Sequence, residues 1–356
     1  MTDPSSGEGD DNDDDARRDG GSTDPVVDAV HRTYPGRPVD NLRAVDTGNR
    51  KRTVVVRFGD DDAPASVVVQ IADAAGFRTE VALARAIRAR TSVPTPAVLA
   101  GGSLTDAGRG YVITEHAPGA DLHTRFTSLG PPQQCTVART FGDALAQLHE
   151  SFAFDGFGAL GVGAAPWATV VDASDPGSLL RVDPADGRQS WPRWLRAYAD
   201  AGVDALPAAF DDLRPQLREA VAATCDAVPA SPPALLYPWD LRPGNALVDD
   251  GAVSAVLDWG DSLAADPGLA VAKVEHLVCD WYVDDGKRLT EAFRRAYRAR
   301  RPLPSVPDGY RLVAVVESAV DSAGVVTRPR YPEVDGAEAV AFHRERLRDV
   351  LAAIGE

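Results

Sequence analysis

Residues 235–260 read LLYPWDLRPGNALVDDGAVSAVLDWG, with apolar runs set around a polar loop and an Asp-Asp-Gly turn. This pattern predicts strand, loop, short strand, turn and strand within one short stretch. Asp240 and Asn245 lie on the first loop, and Asp258 ends the last apolar run, just before Trp259-Gly260. Three oxygen-donor side chains are thus placed at strand ends. Phosphoryl transfer needs such a set: a carboxylate to orient a hydroxyl and take its proton, and hard oxygen ligands to hold Mg²⁺ on phosphates.

Upstream, Asp24-Pro25 reads as the cap and first position of a short helix that stops at Pro35-Gly36. Extended segments follow at Leu42–Asp46, Thr53–Phe58 and Ser66–Ile71, divided by Gly-, Asn- and Asp-rich turns, which predicts an antiparallel meander. Phe77–Arg90 has helical spacing, and Gly110–Glu115 reads as a further strand. After Pro118-Gly119 the pattern turns helical, at about 137–150, 191–201, 212–228, 268–282, 289–299, 310–323 and 337–354. The predicted fold class is α+β: a small antiparallel-sheet lobe over 24–116 and a larger, mainly helical lobe over 117–356. Residues 161–190, rich in Gly, Ala, Asp and Pro, read as an irregular loop or insertion.

Charge says less about partners than its size suggests. The formal charge is −16, but the first 24 residues hold nine acidic side chains against only Arg17 and Arg18. Residues 1–23 have little to bury and are expected to be disordered. Lysine is confined to Lys51, Lys273 and Lys287 among 37 basic residues, and aspartate outnumbers glutamate, a composition that resembles proteins of salt-loving archaea. The acidic balance argues against nucleic acid as a partner. No long apolar run and no basic-then-apolar leader is present, so a cytoplasmic protein without membrane contact is expected. Cys135, Cys225 and Cys279 are far apart and show no metal-ligand spacing, so they are expected to be buried thiols. Gly156–Gly161 fits GxGxxG, but it follows a helix and lacks the preceding strand that a dinucleotide fingerprint requires.

The ordered string DLRPGN at Asp240–Asn245, then Asp258-Trp259-Gly260, then Asp266-Pro267, resembles the aminoglycoside phosphotransferase and choline-kinase-like superfamily, over roughly residues 27–350. The resemblance implies a two-lobed protein-kinase-like fold that uses ATP or GTP with Mg²⁺ to phosphorylate a hydroxyl of a small molecule. It implies Asp240 as catalytic base, Asn245 and Asp258 as magnesium ligands, and Arg242 and Asp266 as braces of the catalytic loop. In the small lobe it implies a phosphate-covering turn over residues 47–52, including Gly48, Asn49 and Lys51. Glu80 takes the place of the family's helix glutamate, and Glu115 with His116 the place of the hinge that meets the base. His149 matches a family position of structural character.

Two positions depart from the family. Gln70 stands where the strand lysine that grips the phosphates is expected, and Pro238-Trp239 replace the His-Gly that usually precedes the catalytic Asp. Glutamine supplies no positive charge, so another cation must enter, from Lys51, Arg52 or Arg57. Arg57 is favoured because alternation sets it opposite Val54, Val56 and Phe58, as in the with-no-lysine kinases that this strand resembles. Gln70 also leaves open a nucleotide-binding pseudokinase with little turnover, and beyond it an interaction domain without nucleotide. A cationic acceptor is suggested by Glu275, Asp280, Trp281, Asp284 and Asp285. The sequence does not set the oligomeric state.

Overall fold

A computed structural model describes residues 24–45, 51–104, 108–184 and 189–355. The acidic tail and the turn residues Gly48 and Asn49 lie outside the described residues.

The first lobe runs α1 (Pro25–Thr33), β1 (Val39–Val45), β2 (Arg52–Phe58), β3 (Ser66–Asp73), α2 (Ala74–Arg90), β4 (Val98–Ser103) and β5 (Arg109–Glu115). Asp24 caps α1 by accepting from Val26 N at 2.9 Å, with Pro25 in the first turn, where its missing N–H costs nothing. The strands form one antiparallel sheet in the order β1-β2-β3-β5-β4. Strand alternation divides its faces. Val54, Val56, Phe58, Val67, Val69, Ile71 and Ile113 pack with Val26, Ala29 and Val30 of α1 in a core of their own. The other face carries Thr53, Val55, Arg57, Val68, Gln70 and Val112, and Val112 joins the large core shared by α2 and the helical lobe.

The second lobe runs β6 (Ala120–Asp121), α3 (Leu122–Arg125), α4 (Pro131–Ser151), β7 (Ala153–Phe154), β8 (Gly158–Gly161), α5 (Trp167–Asp172), β9 (Arg181–Val182), α6 (Trp191–Ala205) and α7 (Arg214–Ala227). It continues through β10 (Ala234–Tyr237), β11 (Ala246–Asp249), β12 (Ala252–Val256), β13 (Leu263–Ala265), α8 (Pro267–Glu275), α9 (Lys287–Arg300), α10 (Asp308–Val316) and α11 (Gly336–Gly355). The expected α+β class, an antiparallel-sheet lobe with a mainly helical one, is therefore present. The GxGxxG match builds β8, which pairs with β13.

Residues 161–184 are more regular than the irregular loop expected as one reading of this stretch. They contain α5, a 3₁₀ turn at Pro176–Leu179 and β9. The reason is Trp167, which is buried with its ring edge-on to Phe77 of α2 at 6.0 Å. Arg78 and Arg85 of α2 donate to the carbonyls of Ala165 (2.6 Å) and Val170 (2.7 Å), so the segment is strapped to α2. The same ring accounts for β4, whose Gly101-Gly102 pair disguises it as a loop. A Cβ at Gly101 would crowd Trp167, and one at Gly110 on the neighbouring strand would overlap it.

Candidate active site

The 240–245 loop is fixed from both ends. β10, buried along its whole length, delivers it, and a 3₁₀ turn at Pro243–Asn245 closes it, with Asn245 N donating to Arg242 O at 3.0 Å. Asn245 Nδ2 donates to Asp240 Oδ2 at 2.7 Å and to the Asp240 carbonyl at 3.0 Å. With its amide nitrogen so committed, Asn245 has Oδ1 left to offer a metal. Arg242 Nε stands 2.9 Å from Asp240 Oδ1, an ion pair whose N–H is not aimed along the contact.

Asp258 follows β12 with φ +57°, in the left-handed region that a non-glycine residue seldom occupies. Leu257 N donates to Asn245 O at 2.7 Å, so the backbone ties the two predicted metal positions together. Asp258 Oδ1 also accepts from Gly260 N at 3.3 Å. Among the described residues no three His, Cys, Asp or Glu side chains gather to hold a metal. Asn245 Oδ1 and the Asp258 carboxylate are hard oxygen donors of the kind Mg²⁺ takes when substrate phosphates and water complete its shell.

Lys51, the residue just before β2, brings the two lobes together. Its Nζ lies 2.6 Å from Glu80 Oε1 and 3.0 Å from Asp258 Oδ1. Burial works to lower the Lys51 pKa, but the charges of Glu80 and then Asp258 outweigh it, and the net direction is upward. Burial pushes Glu80 up to about 7, against the pull of Lys51 and helped by the charge of Asp258. Gly260 leaves room for this meeting, since a Cβ there would press on both Asp258 Oδ1 and Glu80 Oε2.

Gln70 is on the same face of the sheet, paired with Thr53 of β2 and Val112 of β5, and no positive charge enters from its strand position. The favoured cation, Arg57, is not brought to the carboxylates. It pairs with Ser66 at the opposite end of β2 from Lys51, about 20 Å along the strand at roughly 3.3 Å per residue. There its charge, after burial and Arg43, helps to lower the His116 pKa. Arg52 is turned away as well, its guanidinium bound to both oxygens of Asp24 at 2.9 and 2.7 Å.

At the hinge, Glu115 pairs with Val67 and so presents its side chain to the face opposite Gln70. Its Oε2 accepts from Ala97 N at 3.0 Å, and its own N–H donates to Ala97 O at 2.9 Å. The His116 ring meets Ser66 Oγ at 2.9 Å. Asp266, expected to brace the catalytic loop, instead caps α8 through Gly268 N (2.7 Å) and accepts from Tyr310 OH (2.9 Å).

The acidic helix residues are largely spent on structure. Glu275 is buried and holds Arg294 and Arg311, Trp281 is buried, and Asp284 pairs with Arg330. His149 is buried against Tyr297 OH at 2.7 Å, and burial lowers its pKa to about 3. The three cysteines are buried and free. A cluster the sequence reading missed stands beside Asp240: Trp239, Tyr198 and the buried Lys273. Its signal was a single lysine inside the apolar helix sequence LAVAKVEHLV.

The sequence matches the pattern of the Phosphotransferase enzyme family over residues 41–311. Comparison with curated protein sequences gives no match. Among solved structures, aminoglycoside phosphotransferase APH(4)-Ia superposes with a TM-score of 0.62 at 18% identity, covering 92% of this chain and 98% of that one. The GDP and kanamycin complex of APH(2")-IIia gives 0.60 at 15% identity, over 92% and 98%. Macrolide 2'-phosphotransferase MphH from Brachybacterium faecium gives 0.52 at 19% identity, over 93% and 98%. At these identities the superpositions speak to the fold, while the family pattern spans most of the chain, site included. The chain belongs to the phosphotransferase enzyme family.

Proposed function

We propose that this protein transfers the γ-phosphoryl group of Mg-ATP or Mg-GTP to a hydroxyl of a small molecule. The observation that carries the reading is the convergence of Lys51, Glu80 and Asp258 beside the Asp240–Asn245 loop. The grounds for a non-catalytic pseudokinase were the missing charge at Gln70, and Lys51, just before β2, is placed to offer that charge instead. Nucleotides are the ligands of similar folds: APH(2")-IIia holds GDP with kanamycin, and an APH(4)-Ia variant holds ADP with hygromycin B.

In this reading Asp240 orients the acceptor hydroxyl and takes its proton as the oxygen bonds to the γ-phosphorus and the bond to the β–γ bridging oxygen breaks. Asn245 and Arg242 hold the Asp240 carboxylate in place. Asn245 Oδ1 and Asp258 would hold magnesium, which when bound neutralises charge on the phosphates. Lys51, steadied by Glu80, takes the α- and β-phosphates. Backbone groups of the 115–117 hinge meet the base, and the Glu115 side chain braces the hinge from its far side.

The test is transfer from Mg-ATP and Mg-GTP to a panel of hydroxylated small molecules, sugars and amino alcohols among them. Asp240→Asn is expected to lose turnover by at least about 10²-fold with nucleotide binding retained. Transfer that proceeds equally well in Asp240→Asn would refute the assignment.

A further inference from the structure

Lys273 sits in α8, every residue of which is buried, and is itself 2% exposed. Its Nζ donates to the Glu317 carbonyl at 2.8 Å and stands 4.7 Å from the centre of the Trp239 ring. That distance is within cation–π range, where a desolvated ammonium is attracted to the ring face. The indole is held at its edge as well, Trp239 Nε1 donating to Tyr198 OH at 3.0 Å. Trp239 directly precedes Asp240.

Burying an ammonium costs several kcal/mol, whereas methionine would fill the same space without that cost. A lysine retained here points to a use for its charge. We propose that Lys273 is a positioning residue: its anchored ammonium clamps the Trp239 ring and so fixes the direction in which Asp240 is presented. The role of Asp240 rests on the phosphotransfer reading, but the clamp on Trp239 does not.

The surrounding charges set when the clamp releases. Burial lowers the Lys273 pKa, Glu317 at the end of α10 and Asp240 favour its protonated form, and Arg242 opposes it. His276 beyond α8 and His343 of α11 both feel its charge, and burial keeps both imidazoles neutral. Tyr198 and Tyr237, whose pKa values burial raises, stay protonated around Glu317. Burial raises the Glu317 carboxyl to about 7, so Glu317 changes charge near neutrality and Lys273 after it, on the mildly alkaline side.

The test follows the Trp239 indole ¹⁵N–H resonance with pH, assigned by its absence in Trp239→Phe. In the wild-type chain it should shift in an alkaline step as Lys273 loses its proton. Lys273→Arg, always charged, should keep the neutral-pH position and lack the step. In parallel, hydrolysis of Mg-ATP and Mg-GTP to water is measured for wild type, Lys273→Arg and Lys273→Met. The methionine variant should lose about 10- to 100-fold in kcat with nucleotide KM nearly unchanged, and the arginine variant should recover most of it.

A Trp239 resonance without an alkaline step, or a methionine variant with wild-type kcat, overturns the proposal. If Lys273→Met does not fold, wild type against Lys273→Arg decides. If the wild-type chain neither hydrolyses Mg-ATP or Mg-GTP nor transfers from either to the hydroxyl panel, the phosphotransfer reading has failed, and the Trp239 resonance still decides the clamp.

Discussion

Lys51 Nζ reaches Glu80 Oε1 at 2.6 Å from just before β2, the strand beside the one that carries Gln70. A cation therefore stands beside Glu80 two residues before Thr53, the strand partner of Gln70, where the proposed function gives it the phosphates. Lys51→Met is expected to lower turnover by about 10²-fold, the usual scale for losing one charge-stabilising donor. Arg57→Met should stay within about twofold of wild type. Steady-state kinetics on both variants checks this, and the reverse ranking would return the role to Arg57.

Exchange between the two strands gives a sharper version. Gln70→Lys added to the wild-type chain should bring no gain, because Glu80 already holds Lys51. In the Lys51→Met background the same substitution should recover part of the loss, since its ammonium then finds Glu80 unpaired. Failure of the double variant to exceed Lys51→Met in nucleotide affinity would show that position 70 does not reach Glu80.

Glu80 should give the ligand-free chain a measurable pH dependence. Burial raises its pKa from 4.5 to about 7, the pull of Lys51 only partly offsetting it. An acid with a raised folded pKa favours the folded state in its protonated form. That contribution is complete below pH 4.5 and is lost as pH rises through about 7. Chemical denaturation at pH 5 and pH 8 should show Glu80→Gln gaining on wild type by about 1–3 kcal/mol between the two. A difference that does not change with pH contradicts the assigned shift.

Trp167 joins the 161–184 segment to the sheet lobe, so its removal should act on stability rather than chemistry. Trp167→Ala is expected to cost about 3–5 kcal/mol through the cavity beside Phe77. Gly110→Ala should destabilise by about 1–3 kcal/mol, because its methyl group would enter the ring's space. Urea unfolding of both variants measures these values, and a neutral Gly110→Ala would show that the ring can move aside.

The fold was legible where local chemistry and burial agree. Alternating Val54, Val56 and Phe58 against Arg57 gave β2, and the 235–260 stretch gave β10, β11 and β12 with their loops. Legibility failed where a long-range partner decides. The glycines of β4 look like loop until Trp167 is placed beside them, and nothing near position 167 announces that contact. That Asp240, Asn245 and Asp258 would lie close together could be read from order and spacing. The choice among Lys51, Arg52 and Arg57 could not, because β2 alternation gives a face and not a distance along the strand. Arg52 was taken by Asp24, a pairing invisible in one strand alone.

Lys51 and Asp258 are proposed to make a magnesium-nucleotide site together. Thermal unfolding of the wild-type chain, Lys51→Met and Asp258→Ala, with and without Mg-ATP or Mg-GTP, tests it most directly. Nucleotide at about a hundred times its dissociation constant should stabilise the wild type by about 2.7 kcal/mol. The gain should require magnesium and be greatly reduced in both variants. A wild-type chain that neither nucleotide stabilises, or variants stabilised as fully as wild type, would contradict it.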